Sequence, residues 1–247
     1  MKLQFALWVL VFCAPALWAQ NKIGVDGNPI PVPIAEEPYH RLVLENSDVR
    51  VFAVELPPLK TTLLHQHDYD YVVVTLTDGA VTSGHNGMAP EAGHNYTKGD
   101  TRFLHGHIAM QFRNDETAVT HRDITVEIKK KTRQPYDYFK SDYYSNDYDI
   151  VPPPLDSLHT YTTTLNRDTV RMSEAQILPG ENWKMPEGQF PFLVIAENDL
   201  ELRDAKDKSA DPLLIRETGV AWSPAAFRGP VVNVSSQPAR FVLLEFK

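Results

Sequence analysis

The sequence has almost no cysteine, since Cys13 is the only one in 247 residues. That residue falls in a leader-like stretch. Lys2 gives a short positive start, an apolar run extends from Leu3 to Ala14, and Pro15 breaks it before Ala16-Leu17-Trp18-Ala19. The pattern is that of a secretory signal peptide (1–19) cleaved near Ala19, so the expected location is periplasmic or extracellular. The run is shorter than the roughly 20 residues a spanning helix needs, and no basic stop-transfer cluster follows, which argues against a membrane anchor. About 228 residues then remain without a cysteine. Disulfides, thiolate catalysis and cysteine-ligated metals are excluded together. The fold must rest on ordinary core burial, which a chain of that length supplies in one or two domains.

Basic charge is also scarce. The chain carries 24 Lys and Arg against 32 Asp and Glu, a net charge of −8 with His neutral that becomes −9 once Lys2 is removed. Such a balance argues against nucleic acid or an anionic membrane surface as a partner. The run Lys129-Lys130-Lys131 is local and reads as a solvated strand end. There is no Gly-X-Ser-X-Gly elbow, no phosphate-cradling glycine loop and no His-Glu-X-X-His helix. Hydrolase, nucleotide-binding and zincin chemistries lose their usual signatures with them. A long helical period is missing as well.

What is present is strand after strand. Val49 to Leu56 is rich in β-branched residues and ends at Pro57-Pro58; Tyr71 to Leu76 stops at Asp78-Gly79; Ile124 to Ile128 alternates apolar and polar. Short strands between Pro, Gly and Asp turns predict an all-β sandwich or barrel. The segment Leu44–Thr82 also lies over Leu165–Arg203. From Val49 on, a constant offset pairs Val49-Arg50 with Val170-Arg171, Pro58 with Pro179, Val73 with Val194 and Asp78 with Asp199. Further along Gly99 pairs with Gly219 and Asn114 with Asn233, with a slip of one or two residues. This ordered series predicts an internal repeat, with units at 38–130 and 158–247. Between them lies a linker, 131–157, rich in Tyr and Asp and closed by Pro152-Pro153-Pro154. Its aromatics suggest that it packs along the junction of the units.

The densest chemical signal is His65-Gln66-His67. On an extended strand, residues two apart face one side, so both imidazoles converge, a common start to a divalent-metal site. Around this pair the chain resembles the cupin superfamily. The first cupin motif is matched by Pro58, His65, His67 and Gly79, with Tyr71 at the position of the Glu. The second is matched from Gly99 to Asn114, and again from Gly219 to Asn233 with one residue fewer. The resemblance implies two jelly-roll-like antiparallel β-barrels.

Metal-holding cupins typically use two His and a Glu from the first motif and a His from the second. Here the last two positions hold Tyr71 and Met110. Tyr71 is a poor neutral ligand and a thioether is too soft for hard ions. Asp68 or Asp70 could supply a carboxylate, and His105 or His107 could replace the lost histidine by swinging inward. In the second unit the corresponding positions are Pro186, Gly188, Phe192 and Gly229, so no metal is expected there.

The expected site is the mouth of the first barrel. There Tyr69, Tyr71 and Met110 would contact a small molecule, and His65, His67 and His107 would hold at most one divalent ion (iron, manganese, zinc or nickel). Two functional classes follow: a binding protein, and a metal-dependent oxygenase or isomerase with an altered ligand set. The incomplete first site leans toward binding, with a small-molecule ligand as partner. A third class is a structural dimer without a ligand, favoured if Tyr71, Phe112 and Met110 fill the cavity. A homodimer or close association of the two barrels is expected in any case.

Overall fold

A computed structural model describes residues 20–25, 27–85, 91–133, 161–184, 190–209, 211–223 and 230–247. The expected signal peptide (1–19), most of the expected linker, and Pro186, Gly188 and Gly229 lie outside these. Among the described residues the only helix is one 3-10 turn, Ile34–Glu36.

The first half holds β1 (Val32–Pro33), β2 (His40–Glu45), β3 (Val49–Leu56), β4 (His65–Gln66), β5 (Tyr71–Thr75), β6 (Gly79–His85), β7 (Glu91–Tyr96), β8 (Thr101–Leu104), β9 (Ala109–Asn114) and β10 (His121–Ile128). They form two sheets, β2-β3-β10-β5-β8 and β1-β4-β9-β6-β7. The second half holds β11 (Tyr161–Asn166), β12 (Val170–Ile177), β13 (Asn182–Lys184), β14 (Phe192–Ala196), β15 (Leu200–Asp204), β16 (Leu213–Ile215), β17 (Val220–Ser223), β18 (Pro230–Asn233) and β19 (Ala239–Phe246). Its sheets are β11-β12-β19-β14-β17 and β13-β18-β15-β16. The order of the larger sheet is the same in both halves, strand for strand. Among the described residues all strand pairs are antiparallel except β1 with β4.

Two polar devices recur at matching positions. Buried Asn114 donates through Nδ2 to the carbonyls of Leu56 and Val119 and accepts from the Glu116 N–H. Asn233 does the same with Ile177, Gln237 and Ser235. Each asparagine thereby satisfies a strand end and a turn that no ladder reaches. Likewise Arg50 pairs with the fully buried Glu127, and Arg171 with Glu245.

The larger sheets alternate as strands must, but both faces of each are covered. Val49, Val51, Val72, Val74, Ile124 and Val126 form one buried cluster with Val170, Met172, Leu193, Ile195, Val242 and Leu244. The two barrels therefore meet sheet face on sheet face. Arg167 stacks over Phe103 at 4.6 Å, and Lys98 pairs with Glu217 across the same junction.

Candidate functional site

The opposite face of each large sheet lines a barrel interior, and there the halves diverge. On β10 the inward residues are His121, Asp123, Thr125 and Glu127; on β19 they are Ala239, Phe241, Leu243 and Glu245. One barrel is polar and rich in imidazole inside. The other is apolar.

In the first barrel His65 and His67 both face inward, fully buried, with ring centroids 5.4 Å apart. A third imidazole joins them. His40, at the start of β2 and paired with Val54 of β3, lies 4.6 Å from His65 and 6.4 Å from His67. His40 Nδ1 is 2.5 Å from Glu37 Oε2, and His65 Nδ1 is 2.8 Å from the Leu63 carbonyl. If both nitrogens donate, these contacts fix the tautomers and leave Nε2 as the second nitrogen of each ring. His65 Nε2, His67 Nδ1 and His121 Nδ1 are buried without a hydrogen-bond partner. His67 Nδ1 does lie 3.5 Å from Glu127 Oε1, without hydrogen-bond geometry.

The electrostatics follow from burial. Desolvation, and after it the neighbouring His40, holds His65 and His67 well below the ordinary imidazole pKa, so both are neutral at physiological pH. Burial pushes the Glu37 carboxyl up, but the hydrogen bond and charge of His40 outweigh it and the net direction is down. Asp123 goes the same way: burial raises it, and His121, with Oδ2 3.2 Å from Nε2, brings it below its usual value. Glu127 ends above its usual value because desolvation exceeds the pull of Arg50.

Tyr71 and Met110 belong to this cluster. Tyr71 stacks on His67 at 3.7 Å with planes 6° apart, and its hydroxyl donates to Met110 Sδ at 3.1 Å. Phe112 packs against His40, His65 and His121. Tyr69 sits at the edge, its ring under the Arg50 guanidinium at 5.3 Å. His107 is exposed on the turn before β9, where its N–H donates to the His67 carbonyl, and its ring does not join the cluster. His105 Nδ1 lies 3.4 Å from Asp70 Oδ1, and Asp70 also accepts from the Gly106 N–H. Asp68 binds Arg50 at 2.9 Å.

Sequence reasoning missed His40 and His121. His40 carried no spacing signal. His121 did, because His121-X-Asp123-X-Thr125-X-Glu127 is a polar face of one strand.

The donor chemistry fits a divalent ion only in part. Neutral imidazoles with orienting partners suit zinc, iron or nickel. Yet among the described residues no group of three or more His, Cys, Asp and Glu side chains is arranged to hold a metal. Tyr71 and Met110 occupy the remaining positions.

The second barrel has a different interior. Trp183, Phe192, Val194, Leu202, Val231 and Phe241 line a cavity of about 340 Å³ that opens to solvent on one side.

Paired large sheets, two barrels per chain and a histidine-lined first interior define a two-barrel cupin fold. Comparison with known structures agrees. The chain is similar to a putative glyoxylate-induced protein from Pseudomonas aeruginosa, at 13% identity and a TM-score of 0.57, over 93% of this chain and 96% of that one. It is similar to a cupin 2 conserved barrel domain protein from Leptotrichia buccalis, at 11% identity and a TM-score of 0.53, over 88% and 92%. Oxalate decarboxylase from Bacillus subtilis matches at 12% identity and a TM-score of 0.51, over 80% of this chain and 68% of that one. No family model matches the sequence, and no curated protein matches it. At these identities the likeness shows the fold, and function has to come from the site.

Proposed function

We propose that this is an exported binding protein of cupin fold whose first barrel takes a small ligand at His40, His65 and His67, with one divalent ion as the species that satisfies the imidazoles. One observation supports this reading above the others: His65 Nε2 and His67 Nδ1, two of the proposed donors, are buried without a hydrogen-bond partner, as is His121 Nδ1 in the same interior. Native interiors leave few such atoms, and a bound ion, ligand or water normally accounts for them. Holding an ion on three rings requires them to turn from their present orientation, which favours a weak or ligand-assisted site over a tight catalytic one.

The test is elemental analysis of the protein purified without an affinity tag or chelator, then again after loading with iron, manganese, zinc or nickel. Near one equivalent is expected in the parent, none in His65→Ala/His67→Ala, and at least tenfold weaker retention in His40→Ala. No metal in the parent after loading would sink the ion. An equivalent retained by the double variant would place it elsewhere. Oxygen consumption or isomerisation by the loaded parent would move the reading to a metal-dependent enzyme.

A second reading has its own support. The Tyr71–Met110 bond, the His67–Tyr71 stack and the packing of Phe112 fill this interior much as a core would. A structural barrel without a ligand is the function left if no ion binds.

A further inference from the structure

The second barrel holds a cavity of its own. Strand registers give the correspondence position by position. Tyr71 opposite Leu104 becomes Phe192 opposite Ser223, and Val73 opposite Arg102 becomes Val194 opposite Ala221. On the facing sheet, Phe112 corresponds to Val231, while on β10 and β19 His121 corresponds to Ala239. Phe112 packs on His121, and Arg102 lies over Tyr96, which in turn contacts His121; the smaller Ala221, Val231 and Ala239 stand at the corresponding positions of the second barrel. The walls become more apolar at the same time, with Phe241 for Asp123 and Trp183 for Thr62. Trp183 and Phe241 meet edge to face at 5.7 Å.

A cavity of about 340 Å³ with such walls offers water few of the two to four polar partners it needs. An apolar cavity of roughly 150 Å³ holds one benzene ring, so this one has room for a two-ring molecule. Its size falls within the range of about 300–1,000 Å³ seen for small-molecule sites. The charged residues on its lining are Asp204 and Asp211, both exposed, with no basic partner among the lining groups. A carboxylate ligand would meet like charge there; a neutral or cationic one would not.

We propose that the second barrel is a separate binding site for a small aromatic molecule of about two rings, neutral or cationic, whose rings sit among Trp183, Phe192 and Phe241 and whose polar end, if any, faces Asp204 and Asp211. This site needs no metal and does not depend on the first barrel.

The chain has four tryptophans, Trp8, Trp18, Trp183 and Trp222, and the two beyond the leader both line this cavity. Tryptophan fluorescence of the mature protein therefore reports on it. The probes are 2-naphthol, 2-naphthylmethylamine and 2-naphthoate, each titrated by fluorescence and by calorimetry. The first two are expected to saturate at one equivalent, with 2-naphthoate at least tenfold weaker. Val231→Phe refills the cavity with the residue that the first barrel carries at that position. It is expected to weaken binding at least tenfold while leaving the thermal midpoint unchanged or higher. Trp183→Phe should remove most of the fluorescence response while calorimetry still detects binding, and His65→Ala/His67→Ala should leave it intact. Absence of saturable binding for all three probes would overturn the proposal. So would binding that Val231→Phe leaves unchanged in a folded protein, or that the double histidine variant abolishes.

Discussion

His107 shows how one residue carries a structural demand that its side chain does not reveal. Its φ is 63°, in the left-handed region that costs an L side chain about 1–2 kcal/mol. It stands where the cupin second motif, by resemblance, has a glycine, so the backbone kept the turn while the sequence lost the residue suited to it. Gly106 beside it is fixed differently: a Cβ there would lie 2.4 Å from the backbone of Tyr69. His107→Gly is expected to stabilise the protein by about 1 kcal/mol, the relief of strain less the added entropy of glycine in the unfolded chain. Urea denaturation measures it; a loss of stability would mean that the His107 ring makes a contact worth more than the strain. The same residue marks the limit of sequence reasoning at this scale. Spacing brought out His65 and His67, because period two is a property of one strand. It could not bring out His40, whose place beside them comes from the pairing of β2 with β3, nor keep His107 out, because a turn conformation decides that.

At the scale of an element, alternation was legible and its sense was not. The pattern Ile124-Thr125-Val126-Glu127-Ile128 gives two faces to β10, and the usual expectation puts the apolar one in the barrel. Here the apolar face meets the other barrel and the polar face, with His121 and Asp123, lines the interior. The sequence of one strand cannot say which side a second barrel will cover. The second-motif asparagines are the opposite case. Asn114 and Asn233 align in sequence and make the same three hydrogen bonds at the ends of β9 and β18. Asn114→Ala leaves two carbonyls and one N–H without their side-chain partner in a site with no solvent exposure, and is expected to cost about 3 kcal/mol. Asn233→Ala should cost a similar amount. Denaturation midpoints of the two variants check this, and a cost below about 1 kcal/mol in either would mean that water replaces the side chain.

At the scale of the molecule, the junction that joins the barrels also buries two carboxylates. Glu174 of β12 and Glu197 after β14 are each only 4% exposed. Desolvation, and after it the charge of Glu197, raises the Glu174 pKa to about 7, against which a hydrogen bond to Thr101 of the first barrel pulls weakly. Burial raises Glu197 too, although Arg240 and Lys98 oppose it. The sign is then fixed. Between pH 4.5 and 7 the folded protein keeps a proton on Glu174 that the unfolded chain has lost, so stability falls as pH rises through that interval. A carboxyl moving from 4.5 unfolded to about 7 folded costs about 3 kcal/mol when fully ionised. His65 and His67 act in the opposite sense below pH 6.5, because the unfolded chain protonates imidazoles that the folded one keeps neutral. The informative quantity is therefore the difference between the parent and Glu174→Gln, in which the histidines cancel. Urea denaturation is expected to give the variant little advantage at pH 5 and an advantage of about 2–3 kcal/mol at pH 8, with the denaturant slope unchanged. An advantage that is the same at both pH values would show that Glu174 is ionised throughout, so that the junction buries its charge at both.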